Sequence, residues 1–381
     1  MKVILIIIAL VLLSGLALVQ YDRVTFQTHQ ISAEVESLAP KTYNEDQFLK
    51  VYGVTPLEFP QDHGAHPDYQ IEWWYYTGNL ADGAGGRYGF QFTVFRRGIV
   101  RGDPERESEW ATHQLYFAHL TVTDVAGETF EFHERFSRAS PGLAGTQGEP
   151  FYHVWIDDWY AKEIEPGKVQ LKASAGSIGL DLMLEPDKPI ALQGDRGYSA
   201  KSAEPGNAST YYSQTRMPTH GTITTARGTF EVSGNTWQDR EWGSSVLPEG
   251  TVGWDWFSLQ LADKREVMYF VIRTEAGDIY PGSSGLVVYP DGTTRYLVQD
   301  DVQFTVLDHW TSPASGATYP AGWRFTLPDE GIDLNIEPLL NDQELRVSST
   351  YWEGAVRIEG SQTGYGYIEL TGYANTMRGR M

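Results

Sequence analysis

The chain reads as an all-β protein made of two tandem antiparallel β-barrel domains related by an internal repeat. Three observations predict this. Short runs alternate between apolar and polar residues and are separated by Gly-, Asp- and Pro-rich breaks. No long segment after residue 50 holds a helical period, so helices should be few and short. An aromatic strand pattern also occurs twice, about 180 residues apart.

Taken in order, the chain starts with Lys2 and an apolar run from Val3 to Val19, interrupted only by Ser14 and Gly15. One-sided charge before an apolar run is a secretory pattern, although the run is long for a signal core and near the lower limit of a membrane span. Ala17 and Val19 make a mediocre cleavage site. The pattern predicts export to the periplasm or cell envelope, with residues 1–22 either removed as a signal peptide or kept as an anchor. Residues 23–50 read as a polar connector. No comparable apolar run occurs later in the chain, so any membrane association would run through the N-terminal segment alone.

Strand signals then dominate. Tyr88, Phe90, Phe92 and Val94 alternate with Gly89, Gln91 and Thr93, and Leu115, Phe117, His119 and Thr121 alternate with Tyr116, Ala118, Leu120 and Val122. Breaks such as Ala81–Gly86 and Tyr289-Pro290-Asp291-Gly292 carry the residue types that turns require. The repeat pairs Glu72-Trp73-Trp74-Tyr75-Tyr76-Thr77-Gly78-Asn79-Leu80-Ala81-Asp82 with Gly253-Trp254-Asp255-Trp256-Phe257-Ser258-Leu259-Gln260-Leu261-Ala262-Asp263. Laid over each other, Trp73 meets Trp254, Tyr75 meets Trp256, and Asp255 falls opposite Trp74. The next strands, Phe90–Arg96 and Val267–Arg273, also match if the second turn is about four residues shorter. Two copies of one β unit imply two similar domains, divided near residue 220 into 51–220 and 221–381. Each has enough strands to close a barrel of about eight, and a pair of β-sandwiches is the structural alternative.

Composition narrows the function. A chain of 381 residues with a net charge of −21 and a pI near 4.8 has no basic stripe to neutralise phosphates, so no nucleic-acid partner is expected. The same charge disfavours docking on anionic lipid. With no cysteine, disulfides, thiolate metal sites and cysteine nucleophiles are excluded together. There is no Gly-x-Ser-x-Gly elbow, phosphate loop or His-Glu-x-x-His zinc motif. His63-Gly64-Ala65-His66 has a ligand-like spacing without a nearby third ligand, so no metal is expected there. His119 and His133 lie on apparent strands and read as core or rim residues.

Two groups of residues carry candidate chemistry. In Trp237-Gln238-Asp239-Arg240-Glu241-Trp242-Gly243, a strand places Asp239 and Glu241 on one face with Trp237, and Arg240 and Trp242 on the other. The group reads either as a salt-bridged network at the domain interface, with Arg240 reaching a carboxylate on another strand, or as the polar end of an aromatic cavity. Asp255 shares a face with Phe257, Leu259 and Leu261. A desolvated carboxyl there would have its pKa raised and could act as a general acid, whereas an arginine partner would depress it. Aromatic residues make up 13% of the chain, with twelve Trp, which suits a cavity for a large apolar or conjugated molecule and equally suits an aromatic barrel core.

The Glu72–Leu80 strand, Tyr211-Tyr212-Ser213, Trp237–Gly243, Gly253-Trp254-Asp255-Trp256-Phe257 and Glu369-Leu370-Thr371-Gly372-Tyr373 occur in an order that resembles the AttH and carotenoid 1,2-hydratase group. The resemblance spans nearly the whole chain after residue 50. It implies two lipocalin-like (calycin) barrels, usually in exported bacterial proteins described as secreted hydrolases, and for the AttH branch an association with envelope ABC transporters. In the hydratase branch, water adds to a terminal isoprenoid double bond without a cofactor; an Asp protonates the alkene and aromatic groups stabilise the cation. By motif that Asp carries over to Asp255, and the Trp after the Asp-rich turn to Trp242. Arg240 stands where the hydratases have His, and Gly253 where they have Tyr. What carries over is therefore an acid in an aromatic pocket rather than carotenoid hydration itself.

The sequence thus points to an exported protein that binds a hydrophobic, isoprenoid or lipid-like molecule. In the enzymatic version, a cofactor-independent hydratase or hydrolase, Asp255, Asp239 and Glu241 supply the acid–base groups. Trp73, Trp74, Tyr75, Arg240, Trp242, Trp254 and Trp256 surround and orient the ligand. Its rivals are a non-catalytic accessory protein of an envelope ABC transporter and a scaffold without ligand.

Overall fold

The alternation that marks the strands also decides which way each one faces. The computed structural model describes residues 47–102, 112–140, 142–244 and 247–377; the expected leader, most of the connector and the last four residues lie outside them. The first sheet is formed by β1 (Ile71–Asp82), β2 (Arg87–Gly98), β3 (Gln114–Asp124), β4 (Thr129–Arg138), β5 (Ala144–Gln147), β6 (His153–Ile156), β7 (Trp159–Glu165), β8 (Lys168–Ala175), β9 (Ile178–Leu184), β10 (Ala191–Leu192), β11 (Tyr198–Ala200), β12 (Ala208–Thr225) and β13 (Gly228–Gly243). The second is formed by β14 (Thr251–Leu261), β15 (Glu266–Thr274), β16 (Ser284–Val288), β17 (Thr294–Val298), β18 (Gln303–Thr311), β19 (Thr318–Leu327), β20 (Ile332–Pro338), β21 (Glu344–Arg346), β22 (Thr350–Gly360) and β23 (Gly364–Leu370). The helices among the described residues are three-residue 3₁₀ turns, such as Gln61–His63.

All the pairings between these strands are antiparallel, and each sheet curls because its first strand pairs with its last, β1 with β13 and β14 with β23. The result is two lipocalin-like, near-closed halves. Inside the first, Trp74, Tyr76 and Leu80 of β1 pack on Tyr88, Phe90, Phe92 and Val94 of β2 and on Tyr116, Ala118, Leu120 and Val122 of β3. Inside the second, Phe257, Leu259 and Leu261 of β14 pack with Tyr269, Trp323, Phe325 and Trp352. Both interiors are filled by fully buried large side chains, so they are packed cores.

The chain leaves the first sheet at Gly243 and enters the second at Thr251. A division near residue 220 would cut β12, which pairs with β13 from Ser209–Gly243 to Thr225–Gly228. Since β13 also pairs with β1 along its length, the whole last hairpin belongs to the first half. The dense charged motif at 237–243 is thus the closing strand of the first half, not the opening of the second.

The repeat holds residue by residue in the pairing. Trp74 lies opposite Val94 and Asp255 opposite Val271; Trp73 lies opposite Phe95 and Trp254 opposite Ile272. Arg96 and Arg273 close the equivalent positions, opposite Glu72 and Gly253 respectively. In the first half Arg96 donates to the directly opposite Glu72 at 2.8 Å. In the second, a Cβ on Gly253 would stand 2.4 Å from the carbonyl oxygen of Thr371, so no side chain fits opposite Arg273. Its carboxylate partner is Asp255, two residues along on the same strand, at 2.8 Å.

Glu72 is fully buried and also accepts from Arg240 of β13 at 2.7 Å, so one carboxylate joins the first strand to both of its neighbours. His66 Nδ1 lies 2.8 Å from the same carboxylate. Burial works to raise the Glu72 pKa, but Arg240 and Arg96 hold it far below the usual carboxylate range. Glu72→Gln leaves two buried guanidinium groups without their anion and should cost about 3–5 kcal/mol. Urea unfolding at pH 7 measures this, and a loss below about 1 kcal/mol would mean that the network is not the closure of the first half.

Candidate active site

The faces turned away from the two cores meet each other. The first sheet contributes Trp73, Tyr75, Thr77 and Asn79 of β1, Tyr211 and Ser213 of β12, and Trp237, Asp239 and Glu241 of β13. The second contributes Trp254, Trp256, Ser258 and Gln260 of β14, Phe270 of β15, Tyr351 and Glu353 of β22, and Tyr367 and Glu369 of β23. Trp256 sits edge-on to Tyr75 and Trp237, at ring separations of 5.2 and 6.2 Å, and its indole N–H donates to the Tyr211 hydroxyl at 3.1 Å. Tyr75 donates to Glu353 at 2.9 Å across the layer, and the Asn79 amide donates to the Gly366 carbonyl at 2.9 Å. A buried Glu266 on β15 fastens the sheets further along by ion pairs to Lys188 and Arg216 of the first half.

Four carboxyl groups face this aromatic layer. Asp239 accepts from Trp237 Nε1 at 2.7 Å, Tyr211 at 2.5 Å and Ser213. Burial nonetheless pushes its pKa up to about 7, because three neutral donors do not replace bulk water and Glu241 adds like charge. Glu241 pairs with Lys201 at 2.7 Å and accepts from Ser209. Glu353 and Glu369 are direct neighbours across β22 and β23. Burial and the facing Glu369 raise Glu353 well above its ordinary value, against the pull of the Tyr75 hydrogen bond. Burial, with like charge from Asp239 and Glu241, raises Glu369 to about 8. Lys201 also lies over the Phe270 ring at 4.8 Å, and Trp73, Trp254 and Glu369 are only half-buried, which marks the end where the layer opens. At the far end lies a cleft of about 410 Å³, where Asn79, Asn235, Gln260 and Arg216 line the wall together with Leu261 and Ile358.

The residues singled out in the sequence fall in three places. Trp73, Tyr75, Trp254, Trp256, Asp239 and Glu241 converge on the layer. Trp74, Arg240 and Trp242 lie on the opposite strand faces, at the end of the first core: Arg240 stands over the Trp74 ring at 4.0 Å, and Trp242 stacks on His66 at 3.7 Å. Arg240 thus reaches a carboxylate on another strand, Glu72 of β1, but at the end of the first core and not at the interface between the halves. Asp255 does face inward with Phe257, but it is held by Arg273 and by the Tyr373 hydroxyl at 3.0 Å. Burial still outweighs these partners and leaves its pKa raised. Among the described residues, no three His, Asp or Glu side chains are placed to hold a metal ion, and no helix is long and apolar enough to cross a membrane. His63 instead bonds Tyr212 at 2.6 Å.

Sequence reasoning missed Glu353 and named Glu369 only as part of a family motif, not as a site residue. A signal was present. Tyr351-Trp352-Glu353 and Tyr367-Ile368-Glu369 have the same Tyr-apolar-Glu spacing. On a strand this puts Tyr and Glu on one face and the apolar residue on the other.

The AttH-like family model matches residues 50–373, the span that holds both sheets and the layer between them. The chain belongs to the AttH-like family. A candidate AttH from Nitrosomonas europaea is 34% identical, with a TM-score of 0.78 over 86% of this chain and 99% of that one. Kievitone hydratase from Nectria haematococca shares the fold at 16% identity, with a TM-score of 0.60 over 86% of this chain and 98% of that one. CghA, solved with Sch210972, shares it at 13% identity, with a TM-score of 0.51 over 85% and 96%. A search of curated proteins gives no match. This AttH-like chain therefore carries a carboxyl-lined aromatic layer between its halves.

Carboxyl groups raised in the folded state bind protons that the unfolded chain releases at about pH 4. Their stabilising contribution is present below that pH and is lost as pH rises through about 7 for Asp239 and about 8 for Glu369. Glu369→Gln should remove part of this slope, losing less stability than the parent between pH 5 and pH 8.5 by a few kcal/mol. Urea midpoints at both pH values measure it, and identical slopes in the two proteins would show that Glu369 is already ionised at pH 5.

Proposed function

We propose that the layer between the sheets binds an apolar unsaturated molecule, isoprenoid or lipid-like, and that its carboxyl groups add or remove water by acid–base catalysis without a cofactor. One observation carries the reading: Asp239, Glu353 and Glu369, drawn from both sheets, are pushed toward their neutral forms within one aromatic layer. A neutral carboxyl beside bound alkene donates its proton to carbon, and the π electrons form the new C–H bond. The cation left on the neighbouring carbon is stabilised over the faces of Trp73, Trp254 or Trp256. Water then forms the C–O bond while an ionised carboxylate of the group takes its proton, so the site ends with the protons it started with. In this reading Asp255 is the counter-ion of Arg273, a position that the hairpin geometry requires. The Lys2-led apolar run and the family's usual setting support placing the activity outside the cytoplasm.

A second reading has one observation in its favour. Asp239 already accepts three hydrogen bonds and Glu241 is tied to Lys201 and Ser209, which suits a fixed wall as well as a reacting group. The protein would then be a non-catalytic ligand carrier, such as an accessory of an envelope ABC transporter.

Incubation with a panel of terminal isoprenoid alkenes in D₂O, followed by mass spectrometry, separates the two. Catalysis predicts one non-exchangeable deuterium per hydrated product. Asp239→Asn or Glu369→Gln should lower the rate by roughly 10²–10⁴-fold, while folded Asp255→Asn retains it. Saturable quenching of tryptophan fluorescence without product, unchanged by Asp239→Asn, would favour the carrier. Loss of turnover in Asp255→Asn alone would move the acid from the layer between the sheets to the core side of β14.

A further inference from the structure

The internal repeat places an amide at the same position in both copies. Asn79 precedes Leu80-Ala81-Asp82 on β1, and Gln260 precedes Leu261-Ala262-Asp263 on β14. Each side chain reaches the opposite sheet with its nitrogen. The Asn79 amide donates to the Gly366 carbonyl of β23 at 2.9 Å. The Gln260 amide donates to the Thr215 carbonyl of β12 at 2.8 Å and to the Thr236 carbonyl of β13 at 3.3 Å. Both hydrogens of Gln260 Nε2 are thereby taken, so the carbonyl oxygen is the polar atom it has left. Asn79 Oδ1 is buried with no hydrogen-bond partner among the described residues, an arrangement that costs free energy until a donor is supplied.

Both amides line the cleft of about 410 Å³ at the far end of the layer, one from each sheet. That volume lies in the range of small-molecule sites. Deeper in, between Thr77 and Ser258, the sheets leave no space for a water molecule, so the cleft is separate from the carboxyl groups of the aromatic layer. The charges on its wall are already matched. Arg216 donates to Glu266 at 2.5 Å and to the Leu261 carbonyl at 2.9 Å. Arg357 pairs with Glu337 at 2.8 Å and with Glu359 at 3.2 Å. An anion would compete with these carboxylates and a cation would face two guanidinium groups, so the cleft fits a neutral ligand. Its apolar wall comes from Leu261 and Ile358, and beside them stands the ring of Tyr365, held by the Arg87 guanidinium 3.7 Å over its face.

We propose that this cleft is a second binding site, for a neutral molecule with hydroxyl groups on an apolar carbon frame, such as a single sugar ring, and that one amide oxygen from each copy of the repeat accepts from its hydroxyls. A sugar ring carries O–H donors around its edge, for Asn79 and Gln260, and C–H faces, for Leu261, Ile358 and the Tyr365 ring. The contacts come from both sheets, so the bound molecule ties the two halves together and stabilises the fold by mass action. No proton transfer is involved, and the site is independent of the acid–base reading of the aromatic layer.

Titration of the full chain with the methyl glycosides of glucose, galactose and mannose tests this, with glucose 6-phosphate and glucosamine as charged controls. Saturation-transfer NMR and thermal unfolding supply the readouts. At least one neutral glycoside should bind saturably, with a Kd on the order of 1 mM or tighter, and raise the unfolding midpoint. Ala262 is exposed at the rim, so Ala262→Trp closes the cleft without disturbing either core and should weaken binding by about tenfold or more. Folded Asn79→Leu, which removes the unpartnered oxygen, should do the same. Binding that survives Ala262→Trp puts the sugar elsewhere and overturns the proposal. Binding of the charged controls alone overturns it too, as does a panel in which nothing binds at about 50 mM.

Discussion

The buried charge of Glu72 constrains the whole first half of the molecule. A carboxylate buried on the first strand, bonded to Arg96 on the second and Arg240 on the last, fixes which strands may neighbour β1. It also fixes their register, because a buried charge tolerates no slip that would strand it without a partner. With β1 held on both sides, Trp74 and Tyr76 must enter the first core, and Trp73 and Tyr75 must turn toward the second half. The aromatic wall of the candidate site is therefore a consequence of how the first sheet is closed. The same network uses Arg240 up, which is why the Asp239-Arg240-Glu241 run does not act as one unit.

The second half solves the same problem with different residues. Its hairpin keeps the arginine but has glycine at the facing position, where the Thr371 carbonyl leaves no room for a side chain. The carboxylate moves two residues along, to Asp255, and stays on the same strand face. Duplication thus conserved the demand for a buried ion pair while its anion changed place. An acid that stands out in the sequence because the other copy has tryptophan there is explained by this demand.

Filled cores leave the interface between the halves as the place where side-chain chemistry collects. It differs from both cores in composition: aromatic rings there are interleaved with carboxyl groups, hydroxyls and the ammonium group of Lys201. Asp239 and Glu241 share β13, and Glu353 and Glu369 are paired across β22 and β23, so the repulsion within each couple arises inside its own sheet, and packing of the two sheets adds the like charge of Asp239 and Glu241 to Glu369. That repulsion, added to desolvation, sets their proton affinity. The cleft at the other end carries no carboxyl–aromatic cluster of this kind; amides and arginines there alternate with Leu261 and Ile358.

Much of this was legible in the residues. Alternation gave the strands and their faces, including the split of Asp239 and Glu241 from Arg240 and Trp242, because a side chain's face depends only on its parity along a strand. The Trp repeat gave the two halves and the matched hairpins, since equivalent sequence folds into equivalent local pairing. Its limit was the division near residue 220: turn signals mark where a strand ends but not which sheet the next strand joins. The partners were decided by tertiary structure alone. Glu353 and Glu369 meet Asp239 and Glu241 only when sheets that close on themselves are pressed together, and Asp255 finds Arg273 only through the hairpin. A sequence determines which groups are acidic, aromatic or apolar and which way each one points. Burial and charge pairing depend on distances through space, and those exist only in the folded chain.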